Sequence, residues 1–263
     1  MPTPPAKPGP DETLDAITRD WWIFQLRRGH RFSTDDIATG WRASQARPDA
    51  KRLLDIGCGI GSVGLTTLWN VGPDATLVGV EAQALSAGLA RRSVSLNGLE
   101  DRVTIIHADL RDTHDVPPEL IPEGGFDLIT GSPPYFPVGK GIIPEHPQKA
   151  GARFELRGSV YDYCTTARHF LAPGGAFAYV MAAADPRTED APLQAGLVVE
   201  ERMDIRFKIE RDPLICVLVC RREEDGPVER THLELVVRGE DGEFTEAYNR
   251  FRAQASGLGP LAG

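Results

Sequence analysis

The sequence is short of cysteine, of positive charge and of long hydrophobic runs, and each shortage narrows the classes of protein to which it can belong. Four cysteines in 263 residues are too few and too scattered for the disulfide framework of a small secreted protein. Cys216 and Cys220 fall in a predicted strand, where four residues span about 13 Å, too far to share one zinc ion. We therefore expect reduced cysteines and no metal site.

No run of 18 apolar residues is present, so no segment is expected to span a membrane. The N-terminus, MPTPPAKPGP, contains five prolines in ten residues, which is unlike a secretory signal and typical of a disordered tail. We expect a cytoplasmic protein with a tail at residues 1–10, an N-terminal flap at 11–50, the main domain at 51–250 and a second tail at 251–263. Nothing in the sequence indicates the oligomeric state.

From Lys51 onward, strands and helices alternate at a spacing that predicts an α/β fold, a doubly wound, mostly parallel sheet with helices on both faces. The predicted strands are Arg52–Ile56, Thr76–Glu81, Val103–His107, Phe126–Gly131, Ala176–Met181, Leu197–Ile205, Leu214–Arg221 and His232–Arg238. The predicted helices are Val63–Trp69, Gln83–Asn97, a short piece near Glu119, and Ser159–Leu171. The last strands follow one another closely, so we expect an antiparallel edge.

Ahead of this unit the pattern is less regular. Asp11–Asp20 is compatible with a short helix or an ordered lead-in, and Trp21–Phe32 is typical of a strand or hairpin. Ser33 or Thr34 is then suited to cap a helix with acidic residues in its first turn.

The string LLDIGCGIG at Leu53–Gly61 predicts a strand, a glycine turn and the start of a helix. Glycines let the backbone bend sharply and approach a ligand, and a helix start offers free N–H groups. A dinucleotide fingerprint is the alternative, but counted from the first glycine, Ser62 stands where its third glycine belongs. The string instead resembles the cofactor loop of methyltransferases. Its candidate cofactor-binding residues are Asp55, Gly57, Gly59 and Gly61.

The next two predicted strands also end in acidic residues. Glu81 can accept hydrogen bonds from both hydroxyls of a ribose, and Asp109 is placed to accept the amino group of an adenine. A solvated strand-end acid is the plain alternative at each position. Three successive strands that end in acids favour the cofactor interpretation.

A second motif, GSPPYF at Gly131–Phe136, follows the fourth predicted strand of the sheet. An exocyclic amine is a poor nucleophile, and two acceptors on its N–H groups can aim its lone pair at a methyl donor. The Ser132 Oγ and the Pro133 carbonyl are the candidate acceptors, and the two prolines leave no competing N–H. A planar substrate could stack on an aromatic ring of this segment. The candidate catalytic residues are Ser132, Pro133, Pro134 and Tyr135, and a rigid turn is the plain alternative.

This four-residue pattern resembles the signature of methyltransferases that act on the amino groups of adenine, cytosine or glutamine amides. Gln25, the string FSTDDIATGW, the string PPYFPVGKG with HPQKAGARFEL, and the ending ELVVRGEDGEFTEAY further resemble the bacterial tRNA(Val) adenine-N6 methyltransferase family. The resemblance covers Ile23 to about Tyr248. It implies a Rossmann-like class I methyltransferase fold, S-adenosyl-L-methionine as cofactor, and Thr34 and Asp35 beside that cofactor. The family has Asn where this sequence has Ser132.

The formal net charge of −9 opposes a strong non-specific grip on nucleic acid. Basic residues nevertheless cluster locally, with aromatic residues among the later ones. The clusters comprise Arg27, Arg28, His30 and Arg31, and Lys140, Lys149, Arg153 and Arg157 with Phe136 and Phe154. We take Phe136, Lys140 and Arg153 as candidate substrate-binding residues, and solvated loop charge is the alternative. Val138–Glu155 is expected to be an extended, mobile substrate lid.

Together these features predict transfer of a methyl group to an exocyclic amine, with adenine N6 of tRNA as the first candidate. Methylation of a protein glutamine amide or a small amine is the first alternative, and the acidic charge suits it better. A catalytically silent cofactor-binding or RNA-binding module is the second, because of Ser132.

Overall fold

The computed structural model describes residues 6–112 and 116–259. The strands are β1 (Glu12–Ala16), β2 (Trp22–Leu26), β3 (Arg52–Ile56), β4 (Thr76–Glu81), β5 (Val103–His107), β6 (Phe126–Gly131), β7 (Leu171–Ala182), β8 (Leu197–Arg206), β9 (Ile215–Arg222) and β10 (Thr231–Val236). The helices are α1 (Thr34–Ala46), α2 (Ser62–Val71), α3 (Ala84–Leu96), α4 (Pro147–Arg153), α5 (Val160–Phe170), α6 (Arg187–Gln194) and α7 (Glu246–Ser256).

Eight strands form one sheet in the order β10-β8-β9-β7-β6-β3-β4-β5. Within it, β9 runs antiparallel to both of its neighbours, and the other neighbouring strands are parallel. The chain passes from β3 to β4 and β5 on one side, and later through β6 to β7 on the other. The carboxyl ends of β3 and β6 therefore lie side by side where the strand order reverses, which is where open α/β sheets bind their ligands.

The central strands are apolar on both faces because helices cover both. In β3, Leu54 and Ile56 join the core that includes α5, whereas Leu53 joins the core that includes α2 and α3. Each buried leucine or isoleucine contributes about 1.5–3 kcal/mol relative to an exposed one, so the central strands are held rigidly. This rigidity fixes the loops at their carboxyl ends.

The predicted alternation of strands and helices is confirmed, and β3, β4, β5 and β6 have the predicted bounds. A short 3-10 helix occupies Pro118–Leu120, where a short piece was predicted. Antiparallel pairing is confined to β9, which lies between β8 and β7. The edge strand β10 pairs in parallel with β8, so the edge itself is not antiparallel. Helix α6 was not predicted, since its sequence RTEDAPLQ is polar and contains Pro192.

The N-terminal segment is a hairpin and not a helix. Strands β1 and β2 pair antiparallel, which corrects the possible helix at Asp11–Asp20 and confirms a strand within Trp21–Phe32. The hairpin partner of that strand is β1 and not a second strand of the same segment. The β2 backbone is fastened to α3, because Trp22 N–H donates to Asn97 Oδ1 at 2.9 Å and Phe24 N–H donates to the Ser93 hydroxyl at 3.0 Å. Residues 11–50 are therefore packed onto the main domain.

The terminal tails were predicted too long. Helix α7 continues across residue 250, and Phe251 is buried against Trp41 with ring centroids 5.3 Å apart. Residues 251–256 thus belong to the folded domain. At the other end Ala6 packs against the core, while residues 1–5 and 260–263 of the predicted tails lie outside the described residues.

The described cysteines are free and buried, in agreement with the predicted reduced state. In the described part of the chain no helix has the length and apolar character needed to cross a membrane.

Candidate active site

The loop between β3 and α2 carries three glycines in left-handed backbone conformations. Gly57, Gly59 and Gly61 have φ angles of 63°, 57° and 92°. A side chain at Gly57 would collide with Tyr163, whose hydroxyl lies 1.9 Å from the Cβ position. At Gly59 that position meets no atom within 4 Å, so the backbone faces open space that a ligand can enter.

Asp55, at the end of β3, fastens this loop to the neighbouring strand. It is buried, and its carboxylate accepts hydrogen bonds from Gly64 N–H at 2.9 Å and from the Thr130 hydroxyl at 2.8 Å. Burial raises the pKa of Asp55 to about 6. Both of its oxygens serve the protein, so Asp55 holds α2 against β6 and thereby shapes the loop.

Glu81, at the end of β4, reaches the same loop. Its carboxylate accepts from Gly59 N–H at 2.8 Å and from Gln83 N–H at 2.6 Å, and burial raises its pKa. Each carboxylate oxygen has a further lone pair. Glu81 therefore keeps acceptor capacity for the ribose hydroxyls that the sequence predicts at this position.

Asp109, after β5, is not brought into the same cleft. The Arg111 guanidinium donates to its carboxylate at 2.9 and 2.6 Å, and these hydrogen bonds lower the pKa of Asp109. The next residue, Leu110, lines the cleft in its place.

The loop, Glu81 and the residues after β6 enclose a cleft that we call the narrow cleft. Its volume is about 820 Å³, including the part open to solvent. The residues that line it include His30, Asp36, Asp55, Gly57, Gly59, Ser62, Glu81, Gln83, Leu110, Ser132, Pro134, Gln148, Arg157 and Tyr163.

Asp36 is a residue of this cleft that the sequence interpretation missed. It is buried in the first turn of α1 and accepts from Ser33 N–H at 2.9 Å and from the Ser62 hydroxyl at 2.8 Å. Burial, followed by the nearby Asp35 charge, raises its pKa to about 8. The capping pair of Ser33 with an acid three residues later was the available signal.

The SPPY turn lies where two clefts meet. The Ser132 Oγ is buried and has no hydrogen-bond partner among the described residues, although most buried hydroxyls have one. Ser132 lines the narrow cleft and also a second one, with Pro134 on the first side and Pro133 and Tyr135 on the second. The turn therefore separates the two clefts and leaves one buried acceptor free between them.

The second cleft, which we call the wide cleft, has a volume of about 1,670 Å³, including space open to solvent. Its lining includes the predicted substrate residues Phe136 and Arg153, together with Lys149 and Arg31. Phe136 is 41% exposed, its ring is tilted by 32° against the Phe154 ring with centroids 5.5 Å apart, and the Arg153 guanidinium lies 5.9 Å from its centroid. Lys140 does not line this cleft.

The segment 138–155 is not wholly extended, because its second half forms α4. Gln148 in α4 donates to the Ser86 hydroxyl at 3.1 Å and accepts from His30 N–H at 3.1 Å. At the ends of the segment, Phe136 N–H donates to the Arg153 carbonyl at 3.1 Å. These bonds attach the segment to α3 and to the N-terminal region, so α4 forms a fixed wall of both clefts.

Neither Thr34 nor Asp35 lines the narrow cleft, where they were predicted. The Thr34 hydroxyl lies 3.0 Å from the Tyr248 hydroxyl of α7, in a separate cavity. Asp35 lines the wide cleft and accepts from the Tyr135 hydroxyl at 3.0 Å. The neighbouring Asp36 lines the narrow cleft instead.

Residues 32–193, more than half of the chain, match the family described as methyltransferase small domain. The chain belongs to this family.

Curated relatives carry the name tRNA1(Val) (adenine(37)-N6)-methyltransferase. The one from Tolumonas auensis is 25% identical over 236 residues, which cover 88% of this chain and 91% of that relative. The one from Aeromonas hydrophila is 30% identical over 151 residues, 57% of this chain and 59% of that relative. The aligned part thus spans less than two thirds of the Aeromonas protein.

Solved structures show the same fold. A structure described as a predicted O-methyltransferase from Agrobacterium tumefaciens superposes with a TM-score of 0.61 at 17% identity, covering 85% of this chain and 97% of that chain. The aTrm5 chain of a complex with tRNALeu gives a TM-score of 0.53 at 14% identity, covering 82% and 54%. With the observed strand order, these structures confirm the Rossmann-like class I methyltransferase fold.

The family assignment makes the chain an S-adenosylmethionine-dependent methyltransferase and decides against a dinucleotide-binding loop. The narrow cleft fits that cofactor by its own features. Open space over Gly59 leaves room beside the backbone, and Glu81 offers acceptors for hydroxyl groups. Ser132 is an unpartnered buried acceptor at the passage to the wide cleft.

Proposed function

We propose that this methyltransferase transfers the methyl group of S-adenosyl-L-methionine to an exocyclic amino nitrogen of a nucleobase, with adenine N6 of tRNA as the first candidate. The observation that carries the proposal is the free Ser132 Oγ between the two clefts. A buried acceptor without a donor costs about 1–3 kcal/mol, so its retention favours a donor that arrives with the substrate.

An amine N–H is the donor that this position suits. The Ser132 Oγ and the Pro133 carbonyl would each accept one N–H, which leaves the nitrogen lone pair free to face the narrow cleft. The bound cofactor supplies an electrophilic methyl group on a sulfonium. Pro133 and Pro134 have no N–H of their own, so the turn offers acceptors alone. The chain contributes positioning and needs no proton removed before transfer.

The wide cleft supports a planar substrate attached to a polyanion. Phe136 is partly exposed and offers an aromatic ring for a base to stack on, and Arg31, Lys149 and Arg153 line the same cleft. This local cluster offsets the net charge of −9 for the whole chain. The names of the relatives support tRNA as the polyanion, and a tRNA substrate would place the enzyme in the cytoplasm.

The net charge supports a second candidate, the side-chain amide of a protein glutamine, which could use the same two acceptors. Purified protein should be incubated with methyl-labelled cofactor and, separately, with total tRNA and with a protein extract. We expect label in tRNA that survives protease and is recovered as N6-methyladenosine by mass spectrometry of nucleosides. Label confined to protein would refute the tRNA proposal.

Replacing Phe136 with alanine is expected to weaken the use of tRNA. Base–aromatic stacking contributes about 1–3 kcal/mol per base, so kcat/KM for tRNA should fall about tenfold or more. Affinity for the cofactor, measured by calorimetry, should not change, because Phe136 does not line the narrow cleft. Leu193→Ala is the control, since Leu193 is also exposed but lies outside both clefts. Equal kcat/KM in both variants would place the base elsewhere.

A further inference from the structure

The narrow cleft is strongly acidic. Among the described residues that line it, three are carboxylic acids, Asp36, Asp55 and Glu81, whereas Arg157 is the one lysine or arginine. All three acids are buried. A buried negative charge without a counter-charge is costly, so this cleft favours a ligand that brings positive charge with it.

Asp36 differs from the other two acids in its position. Asp55 and Glu81 line the narrow cleft alone, whereas Asp36 lines both clefts, as do Ser132 and His30. Asp36 therefore lies at the passage through which a methyl group must cross. Its two oxygens each accept one hydrogen bond, from Ser33 and Ser62, and a carboxylate has about four acceptor positions. Capacity remains to interact with a cation at the passage.

The substrate form and the product form of the cofactor differ at this point. S-adenosylmethionine has a positively charged sulfonium, and S-adenosylhomocysteine has a neutral thioether with one methyl group fewer. We propose that Asp36 is the specificity-determining residue by which this enzyme prefers its cationic cofactor over the neutral product. The inference rests on the proposed use of the narrow cleft for this cofactor.

The surroundings of Asp36 couple this preference to pH. Asp36 shares α1 with Asp35, interacts electrostatically with Asp55 of β3 and with Tyr135, and lines the narrow cleft together with Glu81 of β4. The basic groups around it are His30, which lines both clefts, Arg157 in the narrow cleft, and Arg31, Lys149 and Arg153 in the wide cleft. Burial, and then the charges of Asp35 and Asp55, raise the pKa of Asp36 to about 8, so this carboxyl group keeps its proton to a higher pH than an ordinary aspartate. A bound cation favours the ionised form and hence release of that proton.

Asp36→Asn is the decisive variant because it removes the charge and keeps the shape. The asparagine Oδ1 can accept from Ser33 N–H, and its Nδ2 can donate to the Ser62 hydroxyl. Asp74→Asn is the matched control, since Asp74 is an exposed aspartate that pairs with Lys51 outside both clefts. Thermal unfolding provides a check on folding.

The raised pKa of Asp36 means that ionising this carboxyl group costs more in the native state than in the unfolded state. The wild type therefore loses stability as pH rises from the ordinary aspartate range to about 8. Asp36→Asn, which has no charge to bury, should unfold at an equal or higher temperature at pH 8.

Calorimetry should measure the dissociation constants of S-adenosylmethionine and S-adenosylhomocysteine with the full chain between pH 6.5 and pH 8.5. For wild type and Asp74→Asn we expect the ratio of the two constants to favour S-adenosylmethionine more as pH rises, by about tenfold, or about 1.4 kcal/mol. In Asp36→Asn the ratio should not respond in this way. Titration of the ligands' own amino groups is common to all three proteins.

Proton release is a second readout. Runs in buffers of different ionisation enthalpy should show that the wild type and Asp74→Asn release a proton at pH 7 when they bind S-adenosylmethionine, and that Asp36→Asn does not.

An unchanged, pH-dependent ratio in a folded Asp36→Asn would overturn the inference and leave the proposed function intact. Failure of the wild type to bind either ligand would instead refute the proposed use of the cleft, and the inference with it. Loss of the preference in Asp36→Asn would support the inference whichever acceptor substrate the labelling experiment identifies.

Discussion

Gly59→Val is expected to abolish binding of S-adenosylmethionine while leaving a folded protein. The Cβ position at Gly59 meets no atom within 4 Å, so the new side chain has no protein neighbour to displace and occupies the narrow cleft itself. With φ at 57°, a β-branched residue also strains the loop that presents its N–H to Glu81. We expect the two effects together to cost at least about 2.8 kcal/mol of binding free energy, which corresponds to about 100-fold in affinity.

Gly98→Val separates the two effects. Gly98 has a φ of 64° and likewise no atom within 4 Å of its Cβ position, but it lies outside the narrow cleft. Both variants should therefore lose a similar amount of stability in chemical unfolding, and calorimetry should find lost cofactor affinity in Gly59→Val alone. If a folded Gly59→Val variant bound the cofactor with wild-type affinity, the proposed cofactor site at this loop would be wrong.

The frame of the site was predictable because it depends on local patterns. Strands β3, β4 and β6 are short apolar runs with a polar residue at or next to their carboxyl ends, namely Asp55, Glu81 and Ser132. Parallel strands bring their carboxyl ends to one edge of the sheet, where the ligand site lies. A residue at the end of a predicted strand is therefore also expected near the site. The glycine loop and the SPPY turn could be found in this way.

The parts that were missed depend on contacts between distant segments. Asp36 enters the cleft because Ser62, 26 residues later, holds its carboxylate. Gln148 appears in the sequence as one polar residue of a loop, and its burial follows from contacts with His30 and Ser86. No periodicity encodes such contacts. The same limit applies to Asp109, which follows β5 by two residues and whose carboxylate accepts hydrogen bonds from Arg111.

The second large effect is expected at Ser132. Ser132→Ala should lower kcat by about 100-fold, the scale found when one preorganised hydrogen-bonding group is removed from a reacting centre. The affinity for S-adenosylmethionine should stay within about twofold of wild type, since the Ser132 hydroxyl has no partner that shapes the narrow cleft. Single-turnover transfer to the acceptor substrate, with calorimetry on the cofactor, measures the two quantities separately.

Stability should move in the opposite direction from activity. A buried hydroxyl without a partner costs about 1–3 kcal/mol, so Ser132→Ala should raise the free energy of unfolding by about 1 kcal/mol. Ser44→Ala is the control, because the buried Ser44 hydroxyl donates to the Trp41 carbonyl at 2.7 Å and its loss should lower stability without affecting transfer. Ser132→Asn restores a planar carbonyl acceptor and should retain transfer. If Ser132→Ala turned over at the wild-type rate, the amine would have to be held by other groups, and the free hydroxyl would be only a cost to the fold. A more stable but inactive Ser132→Ala would instead show that the cost of the unpaired hydroxyl is kept for the reaction.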